Sequence, residues 1–403
     1  RASEGGRVPW KDPSIVETRM ELLTRLRAGE RVTDLAREYG VSRKTIYKFK
    51  SRVEQEGALG LNDRSRRPER LAKALDPAVE RAVLQVKKKY PTWGARKIRA
   101  VLPRRYPGLH VPAATTVHEM LKRNGAVVPR KKRHKTRLSD DGLTKPTAPN
   151  HVWAADFKGQ FRTGDGRYCY PLTATDLHSR FLLLCEALPS TEEDAALAAF
   201  TRLFLQHGLP EVVRTDNGVP FASAGYWGLS RLSTFWIRLG IHVVRIERGQ
   251  PQQNGCHERM HRTLKLETAR PSARHLVAQQ EKFDTFEHTF NNIRPHESLD
   301  MEPPASRYRP STRVFTGDFP EVDYPLADDV KRVDRYGQIR LYGRHKLHLS
   351  TALQGHEVAI AEQPTGLWTI GFCQYDLGAY DPAARNFVRH ETLRPSSLGA
   401  LIN

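Results

Sequence analysis

The sequence predicts a multidomain α/β chain in three parts: all-α modules first, then a mixed five-stranded sheet with flanking helices, then a small β-barrel. Three observations predict it. Residues 1–137 carry 35 Lys/Arg against 14 Asp/Glu and read as short helices separated by turn residues. From residue 151 alternating apolar runs give way to an ordered mixture of strand and helix patterns. Beyond residue 337 only short alternating runs occur, bounded by Gly and Asp turns. At 403 residues, two to four domains are expected. Their boundaries are read as 1–58 and 76–127 for two helical modules and 59–75 and 128–150 for basic linkers. The sheet domain is placed at 151–312 and the barrel at 313–403.

The net charge of +20 is segregated: residues 1–137 have a net charge of +21 and the remainder −1. One third of the chain therefore carries the whole excess, which implies a polyanion partner for that third. Nucleic acid fits better than a lipid surface, because no basic amphipathic helix with aromatic anchors is present. No apolar run approaches membrane-spanning length, and the opening RASEGGRVPWKDPS lacks a signal-like apolar segment. The first residue is Arg, which reads as a trimmed start. Four scattered cysteines form no C-x-x-C pair, so neither a disulfide framework nor a zinc knuckle is indicated, and a reducing cytoplasm is expected. No G-x-x-x-x-G-K-[ST] loop is present, and no nucleotide cofactor is expected.

The helices follow in order. Ile15, Met20, Leu22, Leu23 and Leu26 form one apolar face that ends at Ala28-Gly29. The stretch 32-VTDLAREYG-40 is expected to start at a Thr33 cap, and 41-VSRKTIYKFKSRV-53 at a Ser42 cap. Three helices with a Gly turn before the last describe a helix-turn-helix. Val41, Ile46 and Val53 pack inward, leaving Arg43, Lys44, Thr45, Tyr47, Lys48 and Lys50 for a DNA groove and phosphates. Arg64, Arg66 and Arg67 in the following linker are further phosphate candidates. A second helix-turn-helix is read from 77-PAVERAVLQVKKKY-90, with Asp76 as cap and Pro77 at the first position, then 94–102 and 112–125. It offers Thr115, Thr116, His118, Lys122 and Arg123 to DNA. The tract 130-RKKRHK-135 adds Arg130, Lys131 and Lys132.

Runs 151-HVWAADFKGQF-161, 168-YCYPLTATD-176 and 181-FLLLCEAL-188 read as three antiparallel strands. A helix at 191–208, a strand at 211-EVVRT-215, a helix at 225–239, a strand at 241-IHVVRI-246 and a helix starting near 254–258 follow. Three strands followed by αβαβα is the order of the ribonuclease-H-like fold. Asp156 lies in its first strand, Asp216 ends the fourth and Glu258 opens the last helix. Each alone has a bland reading: a strand-edge Asp, a turn Asp before Asn217-Gly218, and a surface Glu paired at i,i+4 with Arg262. Together, three carboxylates held close repel unless a cation lies between them, and hard oxygen donors suit Mg²⁺ or Mn²⁺. Two such ions could serve a phosphodiester displacement. Arg262 and Lys265, at i+4 and i+7 from Glu258, line up to hold phosphates.

The stretches HVWAADFKGQF, HGLPEVVRTDNGVPF, PQQNGCHERMHRTLK and FNNIRPHESLDMEPPASRY at 290–308 resemble the DDE transposases of bacterial insertion sequences, whose core is of the retroviral-integrase type. The resemblance covers nearly the whole chain. It implies that Asp156, Asp216 and Glu258 are a metal-binding catalytic triad and that Lys265 is the basic residue seven beyond the Glu. It implies two Mg²⁺ per site, terminal inverted repeats and target DNA as substrates, and a homodimer or larger assembly on DNA. The Asp216–Glu258 gap is longer than usual for the superfamily, with the excess assigned to 222-ASAGYWGLSRLSTFW-236. The closing region reads as a helix over 281–292 and five short strands, at 338–343, 346–350, 356–362, 367–373 and 387–390, similar to SH3-like C-terminal domains that contact DNA or a dimer partner. Two other functions fit the residues less well: a DNA-bound repressor, and a nuclease that hydrolyses without joining.

Overall fold

A computed structural model describes residues 14–64, 76–127, 143–247, 250–341 and 345–402. The chain divides into two compact units, Arg1–Leu75 and Asp76–Asn403.

The first unit is a three-helix module. Helix α1 (Ile15–Arg27) starts at a capping box, in which Ser14 Oγ accepts from Glu17 N at 3.2 Å and the Glu17 carboxylate accepts from Ser14 N at 2.6 Å. Helix α2 (Val32–Glu38) follows Arg31 with no side-chain cap, so the expected Thr33 cap is instead a helical residue. Helix α3 (Arg43–Glu56) is capped by Ser42 as expected. Leu22, Leu23, Leu35, Ile46, Phe49 and Leu61 make the core, with Val41 and Val53 half-buried against it.

The second unit opens with α4 (Pro77–Lys89), capped by Asp76, then α5 (Ala95–Arg105) and α6 (Ala114–Arg123). Val83, Val86, Trp93, Ile98, Leu102 and Val117 fill their shared core. Polar contacts fix these helices to the rest of the unit: the Thr92 hydroxyl donates to Glu267, and Arg104 pairs with Glu302 at 2.5 Å.

The central sheet contains β1 (Val152–Phe157), β2 (Phe161–Arg162), β3 (Tyr168–Asp176), β4 (Leu182–Leu188), β5 (Val212–Thr215) and β6 (His242–Arg245). It has six strands rather than five, because the run 151–161 breaks around Gly159, and Phe161, with Arg162 beyond it, pairs separately with β3. β3 runs antiparallel to β1 and β4, while β1, β5 and β6 are parallel neighbours. Trp153 and Ala155 face one side of β1. There they join Phe200 and Phe204 of α7 (Glu193–His207) and Trp236 of α8 (Arg231–Arg238) in the main core. Period-2 alternation sends Asp156 to the opposite face. On that face lie α9 (Gly255–Thr268) and α10 (Leu276–Asn292), packed through Met260, Leu264, Phe283, Phe286 and Phe290. α7 ends at Gly208, whose φ of +74° and close approach to Arg313 O leave no room for a Cβ. Two helices differ from expectation. The 225–239 helix is a short 3₁₀ turn followed by α8 after a Ser230 cap, and α10 starts at Leu276 because His275 caps it.

The C-terminal strands are β7 (Val322–Asp323), β8 (Asp329–Arg332), β9 (Gln338–Arg340), β10 (Lys346–His348), β11 (Glu357–Glu362), β12 (Trp368–Phe372), β13 (Tyr375–Asp381), β14 (Asn386–Pro395) and β15 (Leu401–Ile402). They do not close into the expected barrel. β8, β11, β12, β13 and β14 form an open antiparallel sheet whose edge strands β8 and β14 do not pair, and β9–β10 and β7–β15 are separate ladders among the described residues. The strand β13, interior to the sheet between β12 and β14, is absent from the expected strands because Gly378 and flanking Asp residues mask its alternation. One face of this sheet packs on Trp227, Leu229 and Ile237. Trp227 Nε1 donates to Leu377 O at 2.9 Å, so the segment assigned as excess is the seat of the C-terminal sheet.

Phe200 is fully buried at the centre of the main core. Phe200→Ala is expected to cost about 3–5 kcal/mol, read as a lower denaturant midpoint.

Candidate active site

β1 and β5 pair in parallel as Val152↔Val212, Trp153↔Val213 and Ala154↔Arg214. The offset of that register equals the sequence separation of Asp156 and Asp216. Two residues further along, the same offset places the two carboxylates side by side at the C-terminal ends of neighbouring strands, where α/β sheets open their ligand crevices. Asp216 is also a turn former. Its Oδ1 accepts from Gly218 N at 3.0 Å, and a Cβ on Gly218 would lie 3.2 Å from the carboxylate. Asn217 Nδ2 donates to Ile246 O at 2.7 Å, which fastens this turn to the end of β6. The turn role and the site role therefore coincide.

Glu258 is exposed in the first turn of α9. The Asp156 carboxyl feels both of the other carboxylates. Its pKa is raised to about 7, first by burial and then by the charge of Asp216. Lys158 and the Phe157 N–H oppose the rise, and Glu258 adds to it. The sheet and helix thus bring Asp156, Asp216 and Glu258 into one electrostatic cluster. Like charges crowding the Asp156 carboxyl in this way favour a hard divalent ion such as Mg²⁺ or Mn²⁺, although among the described residues the group whose ligand atoms all lie within 4.8 Å of one another is Asp156, His257 and His261.

Two residues absent from the sequence reading complete the site. His257 and His261, on the buried side of α9, direct Nε2 onto the Thr173 hydroxyl at 2.9 and 2.7 Å. Thr173 Oγ1 donates in turn to the Asp156 carbonyl at 3.0 Å. His261 Nδ1 lies 3.5 Å from Asp156 Oδ2. Burial depresses the pKa of both imidazoles, to about 3 for His257 and further for His261, so both are neutral. The signal was in the sequence: 257-HERMH-261 places two His at i,i+4 on one helical face around a Glu, the pattern of helical zinc sites. Here both Nε2 atoms are taken by one hydroxyl, which leaves them unavailable to a zinc ion in that manner.

The other expected contacts divide. Arg43, Lys44, Tyr47, Lys48 and Lys50 are exposed on α3, while Thr45 is half-buried with its hydroxyl 2.8 Å from Ser42 Oγ. Arg64 is ion-paired with Glu56. On α6, Thr115 and Lys122 are exposed, Thr116 is half-buried, and Arg123 is engaged by Glu80 at 2.8 Å. Arg262 and Lys265 are exposed on α9. Arg66, Arg67, Arg130, Lys131 and Lys132 lie outside the described residues.

The folded chain holds the Asp156 proton more tightly than the unfolded chain does. This contribution to stability is full below the ordinary value of 3.8 and is lost as pH rises through about 7. In the presence of EDTA, Asp156→Asn is therefore expected to raise Tm at pH 8 by the equivalent of a few kcal/mol. The difference should vanish near pH 4, and added Mg²⁺ should raise the Tm of the unsubstituted chain only. Thermal melts across pH check this.

An integrase core domain family matches residues 146–251, and a second integrase core domain family matches residues 239–304. A helix-turn-helix domain family matches residues 18–69 and a homeodomain-like domain family residues 45–121. The Gag-Pol polyprotein of baboon endogenous virus is 28% identical over 46% of this chain, which spans 10% of that polyprotein's length. An uncharacterized protein of insertion element IS407 from Burkholderia multivorans is 25% identical over 53% of this chain and 74% of its own. One from insertion element IS476 of Xanthomonas euvesicatoria is 24% identical over 57% of this chain and 64% of its own. The HTLV-2 integrase catalytic core domain in complex with magnesium aligns at 15% identity and a TM-score of 0.33, covering 41% of this chain and all of that one. No helix among the described residues is long and apolar enough to cross a membrane. With integrase core matches over the central sheet and the helix after it, helix-turn-helix matches before them, and insertion-element proteins among the relatives, the comparisons support a DDE transposase with an integrase-type core.

Proposed function

We propose that this chain cuts and joins DNA phosphodiesters to move an insertion element, with Asp156, Asp216 and Glu258 as its catalytic, metal-binding triad. The observation that carries the reading is the β1–β5 register, which sets Asp156 beside Asp216, with the charge of Glu258 reaching the same carboxyl. In the first reaction a water oxygen bonds to phosphorus at the element end and the P–O3′ bond breaks, freeing a 3′-OH. In the second that 3′-OH bonds to a target phosphorus, and the target's own P–O3′ bond breaks. Two bound divalent ions would supply the activated nucleophile and stabilise the leaving oxygen.

The protein's own groups do the rest. The triad carboxylates hold the ions and lie at one rim of the sheet. Arg262 and Lys265, one and two turns beyond Glu258 and exposed, bind the phosphates that flank the scissile bond. Arg43, Lys44, Tyr47, Lys48 and Lys50 on α3 read or grip the terminal inverted repeats, and the α4–α6 module contributes a second contact through Thr115 and Lys122. Joining two element ends needs two active sites, so a homodimer or larger assembly forms on DNA. The open C-terminal sheet is an accessory domain of this assembly. The work takes place on chromosomal DNA in a prokaryotic cytoplasm.

A strand-transfer assay tests this directly, with the purified chain, a pre-cleaved end oligonucleotide from the element that encodes it and a plasmid target. Joined product is expected with Mg²⁺ and none with EDTA. Glu258→Gln should lower joining roughly 100-fold or more, since it removes charge stabilisation worth several kcal/mol. Binding without joining would favour a repressor, and nicking without joining a nuclease. Arg43→Ala and Lys48→Ala should each weaken binding to the element end. Each should also reduce the slope of log K against log salt by about 1, measured by fluorescence anisotropy between low and moderate salt.

A further inference from the structure

The residues around Thr173 point to a ligand beyond the three carboxylates. A Thr hydroxyl has one proton and two lone pairs. Thr173 Oγ1 donates that proton to the Asp156 carbonyl at 3.0 Å. Its lone pairs must then accept from both imidazoles, so His257 and His261 each carry their proton on Nε2. Both Nδ1 atoms are left as bare acceptors. His257 Nδ1 is buried and makes no hydrogen bond. His261 Nδ1 faces the Asp156 carboxylate, with Oδ2 at 3.5 Å and no hydrogen bond between them.

Two acceptors facing each other at that distance are unfavourable unless a proton or a metal cation joins them, and a divalent ion at Asp156 would displace that proton. Bonds of about 2.1 Å that meet at 90–110° put two donor atoms about 3.0–3.5 Å apart, which is this spacing. The outer ring nitrogen also behaves as a ligand's does. A metal-bound His ordinarily donates its other N–H to a fixed acceptor that sets the tautomer and ring orientation. Here Thr173 is that acceptor, and the same hydroxyl is anchored to the backbone of Asp156. His257 holds the second lone pair of Thr173 and so keeps the hydroxyl from turning. One ligand atom from each of Asp156, His257 and His261 lies within 4.8 Å of the others.

We propose that His261 Nδ1 is a nitrogen ligand of the divalent ion held at Asp156, so that one ion of the site has a mixed oxygen and nitrogen donor set. This rests on the reading that Asp156 holds a divalent ion. An imidazole donor favours a transition metal over Mg²⁺, so this position should discriminate for Mn²⁺.

The test is pulsed electron paramagnetic resonance of Mn²⁺ added to the full chain. The expected spectrum contains the coupling of a directly bound imidazole nitrogen. His261→Gln should abolish that coupling while Mn²⁺ still binds, because the Gln amide can keep donating to Thr173. The same variant should weaken Mn²⁺ at least tenfold and Mg²⁺ less than threefold by titration calorimetry. Mn²⁺ bound in an Asp156-dependent manner without nitrogen coupling would overturn the assignment of His261 and leave the carboxylate site standing. Coupling that survives in His261→Gln but is lost in His257→Gln would overturn it too. Mn²⁺ binding that Asp156→Asn leaves unchanged would overturn both readings. The spectrum of the unsubstituted chain decides the matter even if a variant fails to fold.

Discussion

The parallel pairing of β1 with β5 is the constraint on which the rest of the site depends. Backbone hydrogen bonds set an offset between two strands that the chain brings together across a hairpin, a third strand and α7. A slip of one residue would turn Asp156 toward the Phe200 core and separate it from Asp216. The burial of Trp153 and Ala155 on one face opposes such a slip, since it would expose the Trp and bury a charge. Hydrophobic packing on one side of the sheet therefore fixes the carboxylate geometry on the other.

That geometry carries an electrostatic cost. Asp156 is partly buried, beside Asp216 and within reach of Glu258, and its carboxyl favours the proton. Lys158, just past the end of β1, offsets part of the repulsion. The remaining crowding is what makes the cluster receptive to a cation. The Thr173–His257–His261 group adds order. It ties α9 to β3 and to the Asp156 backbone with three hydrogen bonds among buried groups, and so fixes the helix that carries Glu258 relative to the strand that carries Asp156.

The segment 222–236 shows how an apparent excess of chain acquires a role. Its Trp227 and Leu229, with Ile237 just beyond it, pack on the underside of the C-terminal sheet, and Arg245 at the end of β6 donates to the Trp227 and Gly228 carbonyls. The C-terminal sheet is thus packed on the polypeptide between Asp216 and Glu258. Likewise α4–α6 are joined to α9 and the turn after α10 through Thr92, Glu267 and Arg294. Both flanking modules of the second unit bear on the elements that hold the carboxylates.

The sequence alone carried the order of helices and main strands in the central domain and the helix-turn-helix segments, and it singled out the three carboxylates that the proposed function uses. These are local matters: Ser42 and Asp76 cap their helices wherever they occur, and apolar alternation in HVWAADF makes a strand. The segregation of charge was equally legible, because it needs no coordinates. Three features were decided by the tertiary structure. The open C-terminal sheet was not readable, since barrel closure depends on whether two edge strands meet, and β13 was hidden by Gly378 and its Asp neighbours. The break of the first strand around Gly159 depended on where β3 offered partners. The roles of His257 and His261 depended on Thr173, a residue with no local signal. Helical spacing could show that the two His share a face, but only the packing of α9 on β3 decided that both would meet one hydroxyl and turn the second nitrogen of His261 toward Asp156.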